Sequence, residues 1–256
     1  DQRPPRTDPV NRLLHARLAD AVVATNRRMA AYFTGPMHTP PGKVWCIPGG
    51  VDTRRFAFDP AGRERVRAEF GFGPEHFVIG LLGRFDRVKG QREAVAALAE
   101  LHRRGLGHVR LLLIGFDFAD STAKVHGFIR EHGMEHACTI TGRREDVAAC
   151  LSATDLGLVA SLWSETIARA ALEFMACGRP LVSTDVGVMP DLVDAEGLAP
   201  PGDARALATL LERAAADEAF RTRLAERQGT TLSQYTDAAF LKQSQALFTR
   251  LVDDGK

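Results

Sequence analysis

From residue 59 to residue 184 the chain alternates short apolar runs with longer amphipathic stretches, and no other feature restricts the fold as much. The runs at 77–82, 109–114, 138–141, 156–159 and 181–184 have strand length. The stretches between them, at 91–102, 120–132 and 146–152, carry helical periodicity, as does an earlier one at 59–70 opened by Asp59-Pro60. Strands joined through helices run parallel, because each helix carries the chain back to the edge of the sheet where it began. Right-handed crossovers then put helices on both faces. The fold class is therefore α/β, a doubly wound parallel sheet.

The pattern ahead of Pro48-Gly49-Gly50 is different. Two helices (8–20 and 26–33) and two short strands (21–24 and 43–47) are too little for an independent sheet domain. Residues 1–48 are expected to be the remnant of a second domain. Residues 49–232 then form the main domain, and a helix at about 233–252 lies within a separate C-terminal segment, 233–256. The chain begins at Asp1 with neither methionine nor a signal sequence, which leads to the expectation that it was cut from something longer.

The window from Ser164 to Val182 places Glu165 and Glu173 eight positions apart across the start of a helix. Ile167, Ala170, Ala171 and Phe174 make one apolar stripe, Gly178 closes the helix, and Pro180 precedes the next strand. Two readings are open: a ladder of Glu165, Arg169 and Glu173 on a solvated face, worth about 0.3–0.5 kcal/mol per pair, or a ligand pocket. Arg84 and Lys89 fall just beyond the strand at 77–82, where ligands of doubly wound sheets gather. A planar guanidinium and a compact ammonium suit the two phosphates of a nucleoside diphosphate; ordinary surface charge is the alternative. Arg87, in the same loop, is expected to face solvent.

Four ordered stretches carry a resemblance over roughly residues 18–250. The window around Glu165 and Glu173, with Met175-Ala176-Cys177-Gly178-Arg179-Pro180, resembles the paired-glutamate signature of family 4 retaining glycosyltransferases. Ala21-Val22-Val23-Ala24-Thr25, followed by Ile47-Pro48-Gly49-Gly50-Val51-Asp52-Thr53-Arg54-Arg55-Phe56, resembles that family's interdomain crossover. Gly83-Arg84-Phe85-Asp86-Arg87-Val88-Lys89-Gly90 is similar to its phosphate-binding loop. The resemblance implies a GT-B fold whose Rossmann-like C-terminal domain binds a nucleoside diphosphate sugar. It also implies sugar transfer to an acceptor hydroxyl with retention at the anomeric carbon.

It further implies roles. Glu173, acceptor-only when ionised, takes both ribose hydroxyls; Glu165 meets the transferred sugar and is the catalytic candidate. Thr166, Ile167 and Ala168 supply backbone donors, with the helix N-terminus expected at 166–169. Gly142-Arg143-Arg144 follows the strand at 138–141, where the family cradles the base; Arg143 belongs either to that cradle or to the surface. The family uses no metal, so cationic side chains neutralise the departing diphosphate and no cofactor is expected. The acceptor, a sugar, lipid-linked or other hydroxyl, would meet a first domain of which 1–48 is the remnant, and that domain would make any peripheral membrane contact. By itself the chain is expected to bind donor without transferring sugar.

Departures mark where roles transfer least directly. Ile167-Ala168 stands where the family has Phe-Gly, removing a glycine's conformational freedom. Arg169 replaces an apolar residue, and Gly115-Phe116-Asp117-Phe118 replaces a Gly-x-Gly turn, which also excludes a dinucleotide fingerprint. Trp163 either stacks on a sugar ring or is a core or rim aromatic. A net charge of +1 excludes a dedicated nucleic-acid surface, and the eight histidines show no metal spacing. The four cysteines are expected to be buried free thiols in a reducing, cytoplasmic compartment, extending to the inner face of a membrane. No nucleophile elbow occurs. A GT-B sugar-nucleotide epimerase and a non-catalytic nucleotide-sugar binding module remain the rival functions.

Overall fold

In the computed structural model, residues 5–253 and 255 are described. Residues 1–4, 254 and 256, included in the expected segments 1–48 and 233–256, lie outside the described residues. The N-terminal elements are α1 (Pro9–Leu13), β1 (Val22–Ala24), α2 (Arg27–Thr34) and β2 (Val44–Cys46). There follow α3 (Pro60–Glu69), β3 (Phe77–Leu82), α4 (Gln91–Arg103), β4 (Val109–Ile114), α5 (Thr122–Glu131), β5 (Cys138–Ile140), α6 (Val147–Ser152) and β6 (Leu156–Val159). The chain continues through α7 (Arg169–Ala176), β7 (Leu181–Thr184), α8 (Met189–Leu192), β8 (Leu198–Ala199), α9 (Ala204–Ala216), α10 (Glu218–Leu232) and α11 (Asp237–Asp253).

Six strands form one sheet in the order β5-β4-β3-β6-β7-β8, every pairing parallel. Counted along the chain from β3 this is 3-2-1-4-5-6, so strand order reverses between β3 and β6, the place where doubly wound sheets open a ligand crevice. Alternation along the strands feeds two cores. Ile79, Leu81, Leu111 and Leu113 pack with α4, α5 and α9 on one face, and Val78, Leu112 and Ile114 pack with α3, α6 and α7 on the other. β1 and β2 pair with each other only, also in parallel, over a small cluster of Val22, Ala24, Phe33 and Met37.

One close contact in the core places α7. Gly80 of β3 and Gly157 of β6 are register partners. A Cβ on Gly157 would stand 2.6 Å from Cγ of Phe174, and one on Gly80 3.1 Å from its Cζ. The two missing side chains make the seat in which this fully buried ring lies. α7 is thereby pinned across the centre of the sheet, with Glu173 beside the anchor.

Several expectations need correction. The first helix ends in a π-helical turn at Leu14–Leu18 and does not reach Asp20. The signature helix starts at Arg169, not within 166–168, because Ala168 adopts the left-handed conformation, φ 54°, immediately before it. α8 and β8 were not anticipated; elements of four and two residues carry too few positions to show a period. The last helix begins at Asp237, after a break that lets Val51 N–H donate to Tyr235 O at 2.9 Å. α11 reaches back to the N-terminal unit, where Arg250 stands 5.4 Å from the centre of the Trp45 ring. Cys138, Cys150 and Cys177 are buried free thiols, but Cys46 at the end of β2 is exposed. No described helix is long and apolar enough to cross a membrane.

Candidate functional site

The loops after β3, β6 and β7 meet at the carboxyl edge of the sheet, around the β3/β6 reversal. Lys89 and Glu165, 76 residues apart, are in direct contact there, Nζ donating to Oε1 at 2.5 Å. Ser161 Oγ donates to the same oxygen at 2.5 Å. The backbone is locked around this pair: Val188 N–H donates to Glu165 O at 2.8 Å, and Leu162 N–H to Val88 O at 2.9 Å. Gly187, at φ 53°, passes so near that a Cβ would fall 1.9 Å from Glu165 O. Glu165 is 7% exposed, so this is a placed carboxylate and not one rung of a solvated ladder. The ladder fails on Arg169 too, an exposed residue that makes no hydrogen bond or ion pair to either glutamate among the described residues.

Lys89 has three N–H donors and gives one to Glu165; Glu165 accepts two bonds on Oε1 and none on Oε2 among the described residues. Arg84 follows β3 on the same loop. Its Nε donates to Asp86 Oδ2 at 3.3 Å, and its guanidinium carbon stands 4.0 Å from the centre of the exposed Phe118 ring. Asp86 also fixes the loop by accepting from Val88 N–H at 3.2 Å. Arg87 pairs outward with Glu93 at 2.8 Å, as its surface assignment requires.

Arg143 lies past β5 and is exposed, 5.6 Å from the centre of the Phe116 ring. Its neighbour Arg144 is committed to structure, bonding Glu69 at 2.6 Å and Asp146 at 2.8 Å. The Arg144 bonds hold the Asp146 carboxyl down to about 2. Phe116 and Phe118, in the loop after β4, therefore link the Arg84 and Arg143 loops. Sequence reasoning saw in that loop only a missing Gly-x-Gly; two aromatics among polar residues after a buried strand were the available signal. Ser161 carried no signal, since only its position four residues before Glu165 in a loop brings it to the carboxylate.

Glu173 sits in the second half of α7, and its side chain makes no hydrogen bond or ion pair among the described residues. Burial pushes its carboxyl up to about 7, with partial relief from the positive charges of Arg55 and Arg169. Thr166 joins the N-terminal unit to the site, its carbonyl accepting from Asn26 Nδ2 at 3.2 Å. Ile167 packs against the linker, where a Cβ on Gly49 would meet its Cγ2 at 2.3 Å. Ala168 takes a left-handed backbone conformation that glycine favours, at a strain of roughly 1–2 kcal/mol. Loss of the glycine has therefore not kept this position out of the left-handed region. Trp163 is 56% exposed, which removes the core reading. Among the described residues no three His, Cys, Asp or Glu side chains are grouped to hold a metal ion.

A family model described as "Glycosyl transferases group 1" matches residues 76–217, more than half of the chain. The chain belongs to the group 1 glycosyltransferases. Its similarity to a D-inositol 3-phosphate glycosyltransferase of Segniliparus rotundus is 32% identity over 177 residues, 67% of this chain and 38% of that protein. A 2-deoxystreptamine glucosyltransferase of Streptomyces kanamyceticus is 29% identical over 209 residues, 79% of this chain and 53% of its own length. The chain thus spans about four tenths to one half of these group 1 relatives. Among solved structures, Anabaena HepE in complex with UDP and glucose superposes with a TM-score of 0.81 at 24% identity, covering 95% of this chain and 66% of that one. The C-terminal domain of a group 1 protein, LpcC from Francisella tularensis, covers 73% of this chain and 100% of its own at TM-score 0.64. The group 1 chain therefore has the parallel α/β sheet of GT-B glycosyltransferases.

Proposed function

We propose that residues 49–232 bind the nucleoside diphosphate sugar donor of a family-4-type retaining glycosyltransferase, with 1–48 and 233–256 belonging to the side that receives the acceptor. The observation carrying this reading is the Lys89–Glu165 contact at the strand-order reversal, and a half-buried Glu173 carboxyl on α7 without a hydrogen-bond partner among the described residues adds to it. In this reading the two remaining Lys89 donors and the Arg84 fork hold the diphosphate. Those cations and the open N–H groups at the start of α7, rather than a metal ion, neutralise charge as it departs. Glu173 accepts the ribose hydroxyls. Oε2 of Glu165 takes a hydroxyl of the transferred sugar and offsets positive charge at the anomeric carbon, while Arg143 and Phe116 border the base.

Retention follows in this reading if the leaving phosphate removes the acceptor's proton on the face it vacates. Membership of a glycosyltransferase family favours transfer over epimerisation. The test is a thermal-shift and calorimetric panel of UDP, GDP and ADP. One diphosphate should stabilise the protein saturably, and Lys89→Ala should abolish most of the effect. Equal response of parent and variant to every nucleotide would remove the donor-site assignment.

A further inference from the structure

The opposite edge of the sheet, where the strands begin, holds a cavity of about 760 Å³. Phe77 at the start of β3, Asp155 ahead of β6 and Pro180 ahead of β7 line it, together with Arg63, Arg67, Arg179 and Arg221. β3 separates it from Lys89 by roughly 20 Å, the length of a six-residue strand. The cavity is thus distinct from the donor cleft.

Its charges are incompletely matched. Asp155 accepts from Arg63 at 2.6 Å, from Arg67 at 3.2 Å and from Val78 N–H at 2.8 Å. Arg63 and Arg67 also donate to carbonyls at the end of α6, Ser152, Ala153 and Thr154, which is a capping task, and Arg67 Nη2 donates to Gly73 O at 2.7 Å and His76 O at 2.9 Å. Arg221 is engaged similarly, donating to Ala214 and Ala215 carbonyls.

Arg179 is the exception. Its guanidinium stacks 4.5 Å from the centre of the Phe58 ring, and Nη1 reaches Thr154 O only at 3.4 Å. It has no ion pair among the described residues, and its Nε is buried with no hydrogen-bond partner. Burial and the charge of Arg63 both press against its protonated form, with only partial relief from the charge of Asp155. An arginine cannot relieve this by losing its proton, so the place calls for an anion. Glu75 and Glu218 also line the cavity, leaving four guanidiniums against three carboxylates and the surplus at Arg179.

We propose that this cavity is a second binding site, for a phosphate-bearing small molecule held by Arg179 with Arg63 and Arg221 around it. The volume lies within the range of metabolite pockets. Guanidiniums arriving from several directions suit a tetrahedral group with many oxygens better than a planar carboxylate. The site is independent of the donor reading and is tested with the donor cleft silenced.

In the Arg84→Ala/Lys89→Ala double variant, inorganic pyrophosphate and a hexose phosphate are titrated by calorimetry and thermal shift at constant ionic strength. The expected result is saturable binding of one equivalent, with affinity at least tenfold weaker when Arg179→Met is added. The ligand-free Arg179→Met protein should melt no lower than the parent, because an unpaired buried cation has gone. Arg179→Lys, which keeps the charge and loses the fork, should bind weakly as well. Pyrophosphate tighter than hexose phosphate marks an inorganic ligand, and the reverse order a phosphomonoester. Stabilisation matched by sodium chloride, binding unchanged by Arg179→Met, or a lower ligand-free melting point in that variant would overturn the proposal.

Discussion

Glu173 makes donor recognition depend on pH, and the size of the dependence follows from its environment. Burial has moved the carboxyl from 4.5 to about 7, and no protein donor stabilises the ionised form. A ribose diol supplies two O–H donors to a carboxylate and none of that benefit to the acid, so binding requires, and then stabilises, the charged state. With the free group at about 7, about one site in eleven is ionised at pH 6 and about ten in eleven at pH 8. Nucleoside affinity should therefore be about tenfold weaker at pH 6, or about 1.4 kcal/mol. A nucleoside is the right probe, because a diphosphate titrates in the same window. Calorimetry at pH 7 in buffers of differing ionisation enthalpy should show release of about half a proton per nucleoside bound.

The groups facing Glu173 are Arg55, Arg169 and the Cys177 thiol. Burial pushes Cys177 up to about 12, so it stays protonated throughout the window. Glu173→Gln should bind more weakly with a flat profile. An affinity constant between pH 6 and 8 in the parent, or the same slope in Glu173→Gln, would refute the reasoning. Stability carries the linked sign. The folded-state value lies above the unfolded one, so this group's contribution is full below about 4.5 and lost as pH rises through about 7. Glu173→Gln should be the more stable protein at pH 8, by at most about 3 kcal/mol, and lose most of that advantage by pH 5.

Three other outcomes are expected. Gly157→Ala should push against the Phe174 ring and cost about 1–3 kcal/mol, seen as a lower denaturation midpoint together with weaker nucleoside binding, because the ring pins α7; a midpoint unchanged from the parent contradicts the seat. Ala168→Gly should relieve the left-handed strain and stabilise by about 1 kcal/mol, less the added freedom of the unfolded chain, which calorimetric unfolding would register as a rise of a few degrees. Arg84→Ala and Lys89→Ala should each weaken nucleoside diphosphate binding by about 1.5–3 kcal/mol while leaving nucleoside affinity unchanged, and equal losses for both ligands would move these cations away from the phosphates.

By itself the sequence determined the sheet. Strand-length apolar runs separated by helical periodicities specify parallel pairing and two covered faces, since that information is local and repeated every few residues. It also marked Arg84 and Lys89 through residue type and position after a strand, and Glu165 and Glu173 through their spacing and the family resemblance. Only the tertiary structure decided which of these touch. Lys89 meets Glu165 because β3 and β6 are neighbours at the strand-order reversal, a pairing of segments 76 residues apart that no local period encodes. The conformation of Ala168 was likewise hidden. Alanine disfavours positive φ intrinsically, and the surrounding contacts, Ile167 against Gly49 and Val188 on Glu165, hold the turn against that preference. The perturbation of Glu173 belongs to the same class. A glutamate is written into the sequence as a charge, and only burial beside a ring seated on Gly80 and Gly157 turns it into a group that titrates near neutrality.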